Sequence, residues 1–172
     1  MKKVLVVVCL SLFAFGYSQE KEKITFPKNE IKGNALFLVL GAFEGTYERI
    51  LSEESSFGTS VYIAITDDFA TNFALTPYYR FYFGKKPAAG FFVEGFGSLN
   101  SYESYYYSNN WSSTNIENRT DFALGFGLGS KWITKSGFLF EINAGVGRNL
   151  FNSNDTDYEI VGRGGITLGY RF

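Results

Sequence analysis

The last fifteen residues, Tyr158 to Phe172, alternate without a break between apolar and small or charged side chains. Ile166, Leu168 and Tyr170 fall on one face, and Arg171 falls on the other. Because side chains along a strand alternate with a period of two, this segment predicts a β-strand with one apolar, aromatic face. We expect that face to meet lipid and the terminal phenylalanine to serve as a recognition signal.

The first residues have the three parts of a secretory signal. Lys2 and Lys3 precede an apolar run, Val4 to Phe15, and Gly16 and Ser18 supply small side chains before a cleavage site. The run is about a dozen residues long, whereas a spanning helix needs roughly 20. We therefore predict a cleaved signal peptide over residues 1–18, a periplasmic N-terminal segment over 19–29 and one barrel domain over 30–172.

Composition excludes several functional classes. Without Lys2 and Lys3 the chain keeps 14 of its 16 basic residues against 17 acidic ones, so no basic surface is expected and no nucleic acid is predicted as a partner. Histidine is absent, and the single cysteine, Cys9, lies in the predicted signal peptide. A histidine base and metal ligation by His or Cys are therefore unavailable. We predict no enzyme, no catalytic or metal-binding residues and no cofactor.

Eight strands are expected. Six are read from alternation bounded by polar, Gly or Pro residues, at Phe57–Thr66, Phe69–Phe83, Gly90–Tyr102, Thr120–Thr134, Gly137–Phe151 and Tyr158–Phe172. An even strand number requires one more pair, which we place at Ile31–Leu38 and Phe43–Leu51 with a reversal near Gly41. The predicted fold class is all-β, an eight-stranded antiparallel up-and-down transmembrane β-barrel.

The connections alternate in length. Residues 52–56, 84–89 and 134–137 form tight turns, whereas 101–119 and 152–157 form longer polar loops. Outer-membrane barrels place short turns at the periplasm and long loops outside, so we expect Phe172 at the periplasmic end. Pro77 lies within a predicted strand and lacks an N–H, so we expect a bulge or a break in the ladder there.

Alternation alone leaves open which face points inward. A soluble, lipocalin-like barrel would bury the apolar face and leave Gly125, Gly127 and Gly129 in a row in water, which is a poor strand surface. In a small membrane barrel the same glycines face a cramped interior. The membrane barrel is the favoured interpretation.

In that orientation, charged residues of both signs point into the lumen and can pair there. The predicted lumen charge network comprises Glu48, Arg80, Glu94, Lys131, Glu141, Arg163 and Arg171. An eight-stranded barrel has an interior just wide enough for its side chains, and Tyr78, Tyr82 and Phe96 would fill it further. We therefore predict a plugged barrel without a continuous aqueous channel.

Aromatic residues on the outer face predict contacts at the two membrane surfaces. The predicted periplasmic aromatic girdle comprises Phe81, Phe83, Phe91, Trp132, Phe138, Tyr170 and Phe172. In the predicted outer loop, Tyr102 and Tyr105 are expected to extend an outer interfacial belt. Tyr106, Tyr107 and Trp111 lie among Ser and Asn and are candidates for contact with an extracellular partner.

The chain resembles the small eight-stranded outer-membrane barrels of Gram-negative bacteria, the group of the OmpA transmembrane domain and OmpX, and related families of unknown function. The resemblance rests on Thr46–Arg49 (TYER), Thr76–Gly84 (TPYYRFYFG), Gly137–Asn149 (GFLFEINAGVGRN) and the ending GITLGYRF. It implies an outer-membrane location, contact with outer-membrane lipid, and recognition by the barrel-assembly machinery through the strand ending at Phe172.

Two classes of function remain at this stage. The first is a structural or surface-interaction barrel whose exposed loops would bind an extracellular partner. The second is a narrow-pore or small-ligand or lipid-binding barrel, and a soluble lipocalin-like periplasmic binding protein is a further alternative. Inward charges and aromatic residues favour the first class.

Overall fold

Alternating side chains in eight segments produce a closed barrel in which each strand pairs antiparallel with the next and the last pairs with the first. The computed structural model describes residues 26–66, 68–107, 114–151 and 158–172, with the backbone alone at 104–107 and 114–117, so the predicted signal peptide lies outside the described residues. The predicted eight-stranded up-and-down barrel is confirmed. The elements are β1 (Asn29–Asn34), α1 (Ala35–Leu40), β2 (Ala42–Ile50), β3 (Ser55–Ala64), β4 (Thr71–Tyr82), β5 (Gly90–Tyr107), β6 (Thr114–Ile133), β7 (Phe138–Asn149) and β8 (Ile160–Arg171).

The alternation gives each strand an outer apolar face and an inner polar face. In β6, Leu124, Phe126 and Leu128 point outward and are more than half exposed, whereas Lys131 is buried inside. A Cβ atom at Gly129 would lie 2.6 Å from an atom of the Phe92 ring, so the crowded interior requires glycine there. The apolar face is thus the outer wall, the reverse of a soluble barrel with an apolar interior.

The two ends of the barrel differ. Asn29, Phe172 and the connections after β2, β4 and β6 lie at one end, which we call the tight-turn end. Helix α1 and the C-terminal ends of β3, β5 and β7 lie at the other, which we call the helix end.

The first strand is shorter than predicted. We expected a strand over Ile31–Leu38, but β1 ends at Asn34 and α1 follows. The Asn34 side chain accepts a hydrogen bond from the Phe37 N–H at 3.3 Å, and Gly41 adopts φ +95° at the C-terminal end. Both are common helix caps. Periodicity alone does not distinguish a helix from a strand in a short apolar run. The capping residues at its two ends are therefore the better indication that this run is a helix.

Strands β5 and β6 are longer than predicted. We expected a polar loop over 101–119, but paired residues continue from Tyr102↔Arg119 to Tyr107↔Thr114. These strands have 18 and 20 residues, whereas β4, β7 and β8 have 12. Where a hairpin projects beyond its neighbouring strands, its two faces no longer lie in different environments. Apolar and polar residues then need not alternate along it, so alternation does not identify it as a strand. Its tyrosines nevertheless favour a strand.

Pro77 interrupts one ladder without changing its register. The pairs between β4 and β5 are missing at Thr76 and Pro77 and resume in the same register, while Pro77 remains paired with Thr59 of β3. The ladder therefore breaks where the N–H is missing. The register shift between β4 and β5 lies elsewhere, between Thr71 and Phe73.

Candidate functional site

The candidate site is the barrel interior, where several strands direct charged side chains to one level. Glu48 of β2 is fully buried at its centre. Its two carboxylate oxygens accept hydrogen bonds from five side chains: Lys32, Tyr78 (2.7 Å) and Arg80 (3.1 Å) at Oε2, and Tyr82 (2.7 Å) and Lys131 (2.6 Å) at Oε1. Such complete satisfaction is what a buried carboxylate needs to remain charged.

Glu141 of β7 and Glu30 of β1 form ion pairs with the cations that also contact Glu48. Glu141 Oε1 lies 2.8 Å from Arg80 Nη2, and Glu141 Oε2 lies 3.1 Å from Lys32 Nζ. Lys131 Nζ lies 2.8 Å from Glu30 Oε2. Three cations therefore share three carboxylates at the centre of the barrel.

The network extends toward the helix end through Glu94. This carboxylate binds Arg80 Nε at 2.8 Å through one oxygen and Arg163 Nε at 2.9 Å through the other. Arg163 Nη1 also donates to Ser60 Oγ at 2.8 Å and lies 3.5 Å from Glu44 Oε1. Strands β2, β3, β4, β5 and β8 are thereby joined across the lumen.

At the tight-turn end, Arg171 holds the connection between β4 and β5 inside the barrel mouth. Its Nε donates to Glu30 Oε1 at 2.8 Å, and its Nη1 and Nη2 donate to the carbonyls of Pro87 and Ala88, each at 2.8 Å. The Ala88 N–H donates in turn to the Glu53 carbonyl at 2.6 Å. Ala88 adopts φ +43°, a left-handed conformation that these contacts maintain.

Apolar packing closes the mouth below the network. Ala88 is fully buried and forms a cluster with Ile50, Tyr82 and Phe92, against which Phe26 packs. The second part of the 83–89 connection, Ala88 and Ala89, thus acts as a plug, whereas Lys85 and Lys86 in the first part are exposed.

Aromatic rings fill the space between the ion pairs. The Arg80 guanidinium carbon lies 4.4 Å from the centre of the Tyr78 ring and 4.1 Å from that of Phe92. Lys131 Nζ lies 4.8 Å from the centre of the Tyr82 ring. These are cation–π distances, so the rings stabilise the cations while excluding water.

The described network contains equal numbers of carboxylates and cations. It brings together all seven residues of the predicted lumen network. Three further charged residues of the network were not predicted. Glu30 lies just before the predicted first strand, Ile31–Leu38, whereas Lys32 and Glu44 lie within predicted strands but were not assigned to the lumen. The full set is Glu30, Glu44, Glu48, Glu94 and Glu141 with Lys32, Arg80, Lys131, Arg163 and Arg171.

Between the network and the helix end, the interior holds a cavity of about 200 Å³. Phe37 of α1, Tyr62 of β3 and Phe69 form one side, with ring centres 5.4 to 6.3 Å apart in edge-to-face contacts. On the other side, the hydroxyls of Thr76 and Ser98 bond each other at 2.9 Å. This half of the lumen is therefore lined by aromatic rings and by small polar side chains that bond each other.

The residues of the predicted aromatic girdle lie on the outer wall near the tight-turn end. Adjacent rings touch, with 5.3 Å between the centres of Phe81 and Phe83 and 6.0 Å between those of Phe83 and Phe91. The seven side chains are 41% to 61% exposed: Phe81, Phe83, Phe91, Trp132, Phe138, Tyr170 and Phe172.

Among the predicted loop aromatics, one described side chain, that of Tyr102, lies elsewhere than expected. Tyr102, predicted to extend an outer belt, is buried in the lumen and stacks on Tyr158 with 4.9 Å between ring centres. Its strand simply continues, so its alternation with Phe96 turns it inward. Tyr106 and Tyr107 belong to β5, and Trp111 lies outside the described residues.

No protein-family model matches the chain, and no curated protein matches it. Among solved structures, the barrel is similar to the crystal structure of the N-terminal β-barrel domain of Pseudomonas aeruginosa OprF. The TM-score is 0.55 and the sequence identity 14%, over 84% of this chain and 96% of that domain. The fold is that of an OmpA-like eight-stranded barrel. The predicted resemblance is confirmed at the level of fold.

Within the described residues, no helix combines the length and the apolar character needed to cross a membrane.

Proposed function

We propose that the protein is an integral outer-membrane barrel of structural or surface-interaction type, with a lumen plugged by side chains and no catalytic activity. The observation that carries the proposal is the inverted distribution of polarity. Glu48, Arg80 and Lys131 are buried in the interior, whereas the outer wall exposes large apolar side chains such as Phe126, which is 70% exposed. Water disfavours so large an apolar surface, and hydrocarbon favours it.

The interior supports a structural role. The carboxylates of the network form ion pairs with cations, and the Arg171 contacts hold a plug in one mouth. A catalytic acid or base needs a proton that a substrate can reach, and these groups bond each other instead. The chain also has no histidine to act as a base.

We infer three partners for the outer surface. Membrane lipid would contact the apolar wall, and the barrel-assembly machinery would recognise β8 with its terminal Phe172 after export by the cleaved signal peptide. An extracellular partner, not identified, would meet the projecting β5–β6 hairpin. Tyr106, Tyr107 and Trp111 are the candidate contacts for that partner.

Heat-modifiability tests the proposal directly. The chain without residues 1–18 is refolded in detergent or lipid, and boiled and unboiled samples are compared on SDS gels with circular dichroism of each. We expect a mobility shift and a β-type spectrum. A chain that is folded and monomeric in water without detergent would overturn the membrane assignment. Steady single-channel openings in planar bilayers would overturn the plugged lumen.

One substitution separates a lipid-facing wall from a water-facing one. Phe126→Arg places a charge near the middle of the outer wall, so we expect a loss of roughly 2–4 kcal/mol in the free energy of unfolding from lipid vesicles. Phe126→Leu, which keeps the site apolar, is the matched control. Equal stability of the two variants would contradict a hydrocarbon environment at this position.

A further inference from the structure

Helix α1 differs from every other connection at its end of the barrel because it is apolar throughout. Its sequence is ALFLVL, and no charged residue occurs between Lys32 and Glu44. The connections after β5 and β7 are rich in Ser, Asn and Asp. The composition of α1 therefore suits an apolar environment, whereas that of the neighbouring connections suits water.

The helix turns one ring inward and most of its aliphatic side chains outward. Phe37 packs on Tyr62 and Phe69 at the cavity. Leu38, Val39 and Leu40 are 62%, 84% and 52% exposed. In water, this patch would have an unfavourable free energy of hydration that nothing in the helix offsets.

The position of the helix follows from the length of β1. That strand has six residues, whereas a tilted bilayer crossing takes about 9–11. The pairs between β1 and β8 end at Asn34↔Thr167, yet β8 continues to Ile160. Helix α1 contacts both β8 and β2. It therefore occupies the part of the wall that the missing residues of β1 would otherwise form.

The outward side of α1 is continuous with the apolar outer wall. Its C-terminal Gly41 carbonyl accepts hydrogen bonds from Ile65 N–H at 2.9 Å and Thr66 N–H at 3.1 Å. Ile65 is exposed, and Phe43 and Ile63 form an exposed pair just below it. A single apolar surface thus runs from β2 and β3 onto the helix.

Polar groups at the start of the helix point the opposite way. The buried Asn34 amide donates to Glu44 Oε2 at 2.7 Å and to the Gly164 carbonyl of β8 at 3.2 Å. A six-residue helix leaves several of its backbone groups without an intrahelical partner, and two of them are satisfied from outside. The Phe37 N–H donates to the Asn34 side chain, and the Gly41 carbonyl accepts from the Ile65 and Thr66 N–H groups.

We propose that α1 is embedded in the outer leaflet, with Leu38, Val39 and Leu40 in contact with lipid acyl chains, and that it closes the barrel wall between β8 and β2. The inference rests on the proposed membrane location. It moves the membrane boundary past the end of β1, so that this connection is part of the lipid-facing wall instead of a loop in water.

Single nitroxide labels test the depth of the helix. In a chain carrying Cys9→Ser, cysteine is introduced by Val39→Cys in α1, by Phe126→Cys in the middle of the outer wall, or by Asn118→Cys on the projecting hairpin, where the side chain is exposed. Each labelled protein is reconstituted in phosphatidylcholine vesicles. Its collision rates with oxygen, which concentrates in hydrocarbon, and with a water-soluble nickel chelate are measured by electron paramagnetic resonance.

We expect the oxygen-to-nickel ratio at position 39 to match that at 126 and to exceed the ratio at 118 severalfold. A water-like ratio at 39 with a lipid-like ratio at 126 would overturn the embedded helix and leave the membrane barrel intact. Protection of position 39 from both reagents would also overturn it, because protein would then cover the helix. A water-like ratio at 126 would overturn the membrane location itself.

Discussion

The two halves of the lumen are built by the same eight strands but are filled in different ways. Toward the tight-turn end, Glu48 and its partners are buried, and Ala88 packs with Ile50, Tyr82 and Phe92 in the mouth. Toward the helix end, the same wall surrounds a cavity of about 200 Å³ whose polar side chains bond each other. Strand number and stagger together set the width of a barrel, so within one barrel the size of the inward side chains decides how far its interior is filled.

A single strand contains this difference. Along β4 the inward side chains grow from Ala74 and Thr76 to Tyr78, Arg80 and Tyr82, all of them buried. Strand β5 runs antiparallel and also has small inward side chains at the cavity, Ser98 and Asn100, although Tyr102 beyond them is large and buried. Along β4 the gradient therefore places bulk and charge toward the tight-turn end and small side chains beside the cavity.

Removal of the central carboxylate should produce the largest effect. Glu48→Ala leaves three buried cations with fewer partners and two phenols without their acceptor, so we expect a loss of about 3–5 kcal/mol in the free energy of unfolding. Glu44→Ala, beside the cavity, should cost about 1 kcal/mol because Arg163 keeps Glu94 at 2.9 Å. Urea unfolding of both variants in lipid vesicles measures the difference. Equal losses would show that the two halves are equally dependent on charge compensation.

Release of the plug should have the next largest effect. Arg171→Met removes charge-assisted hydrogen bonds to Glu30 and to the carbonyls of Pro87 and Ala88, with an expected loss of about 1.5–3 kcal/mol. The Ala88 amide should also exchange its hydrogen faster, as measured by hydrogen exchange. Lys85→Met, at an exposed position of the same connection, is the control. Unchanged exchange in Arg171→Met would show that packing alone holds the plug.

Added volume should be tolerated in one half and resisted in the other. Ala89→Leu adds three carbons to the packed mouth, where overpacking costs about 1–3 kcal/mol. Ala74→Leu adds the same atoms at the edge of the cavity and should change stability by less than about 0.5 kcal/mol. Thermal unfolding in detergent compares the two. A larger loss for Ala74→Leu would mean that the cavity is filled in the folded protein.

The smallest effect is expected for a pair of charges outside the lumen. Arg148 and Glu159 form an ion pair on the outer surface at the helix end, with side chains 66% and 46% exposed. Glu159→Gln should cost less than about 1 kcal/mol, and the loss should shrink further in 1 M salt. The loss in Glu48→Ala should persist in the same salt. A large, salt-resistant loss at Glu159 would contradict the distinction between exposed and buried charge.

The alternation of apolar and polar residues made most of the barrel predictable. In β6 and β8, aromatic or aliphatic residues alternate with glycine and charged residues, which identifies the strand and the face that lines the lumen. Glu94, Lys131 and Glu141 could be assigned to the interior on this basis. Their partners could not, because pairing across a lumen depends on strand stagger, which the sequence pattern does not specify.

The remaining differences have identifiable causes. The run Ala35–Leu40 has no periodicity to separate helix from strand, although Asn34 and Gly41 at its ends are typical caps. Glu30 was not assigned to the lumen because the predicted first strand begins after it, and Lys32 was not because β1 is too short for its alternation to stand out. Tyr102 was misplaced because the projecting hairpin lacks the contrast in polarity by which a strand end is recognised.

The lumen network has a consequence for how the chain reaches its folded state. Glu30 and Arg171 are 141 positions apart, and Lys32 and Glu141 are 109 apart, so these partners meet only when β1 and β8 come together. Before closure, each group must remain hydrated, which keeps an open sheet from settling into hydrocarbon. In the proposed membrane location, a slip of one residue between β1 and β8 would turn Glu30 and Lys32 toward lipid. The same charges would therefore favour the correctly closed barrel over an open or misaligned one.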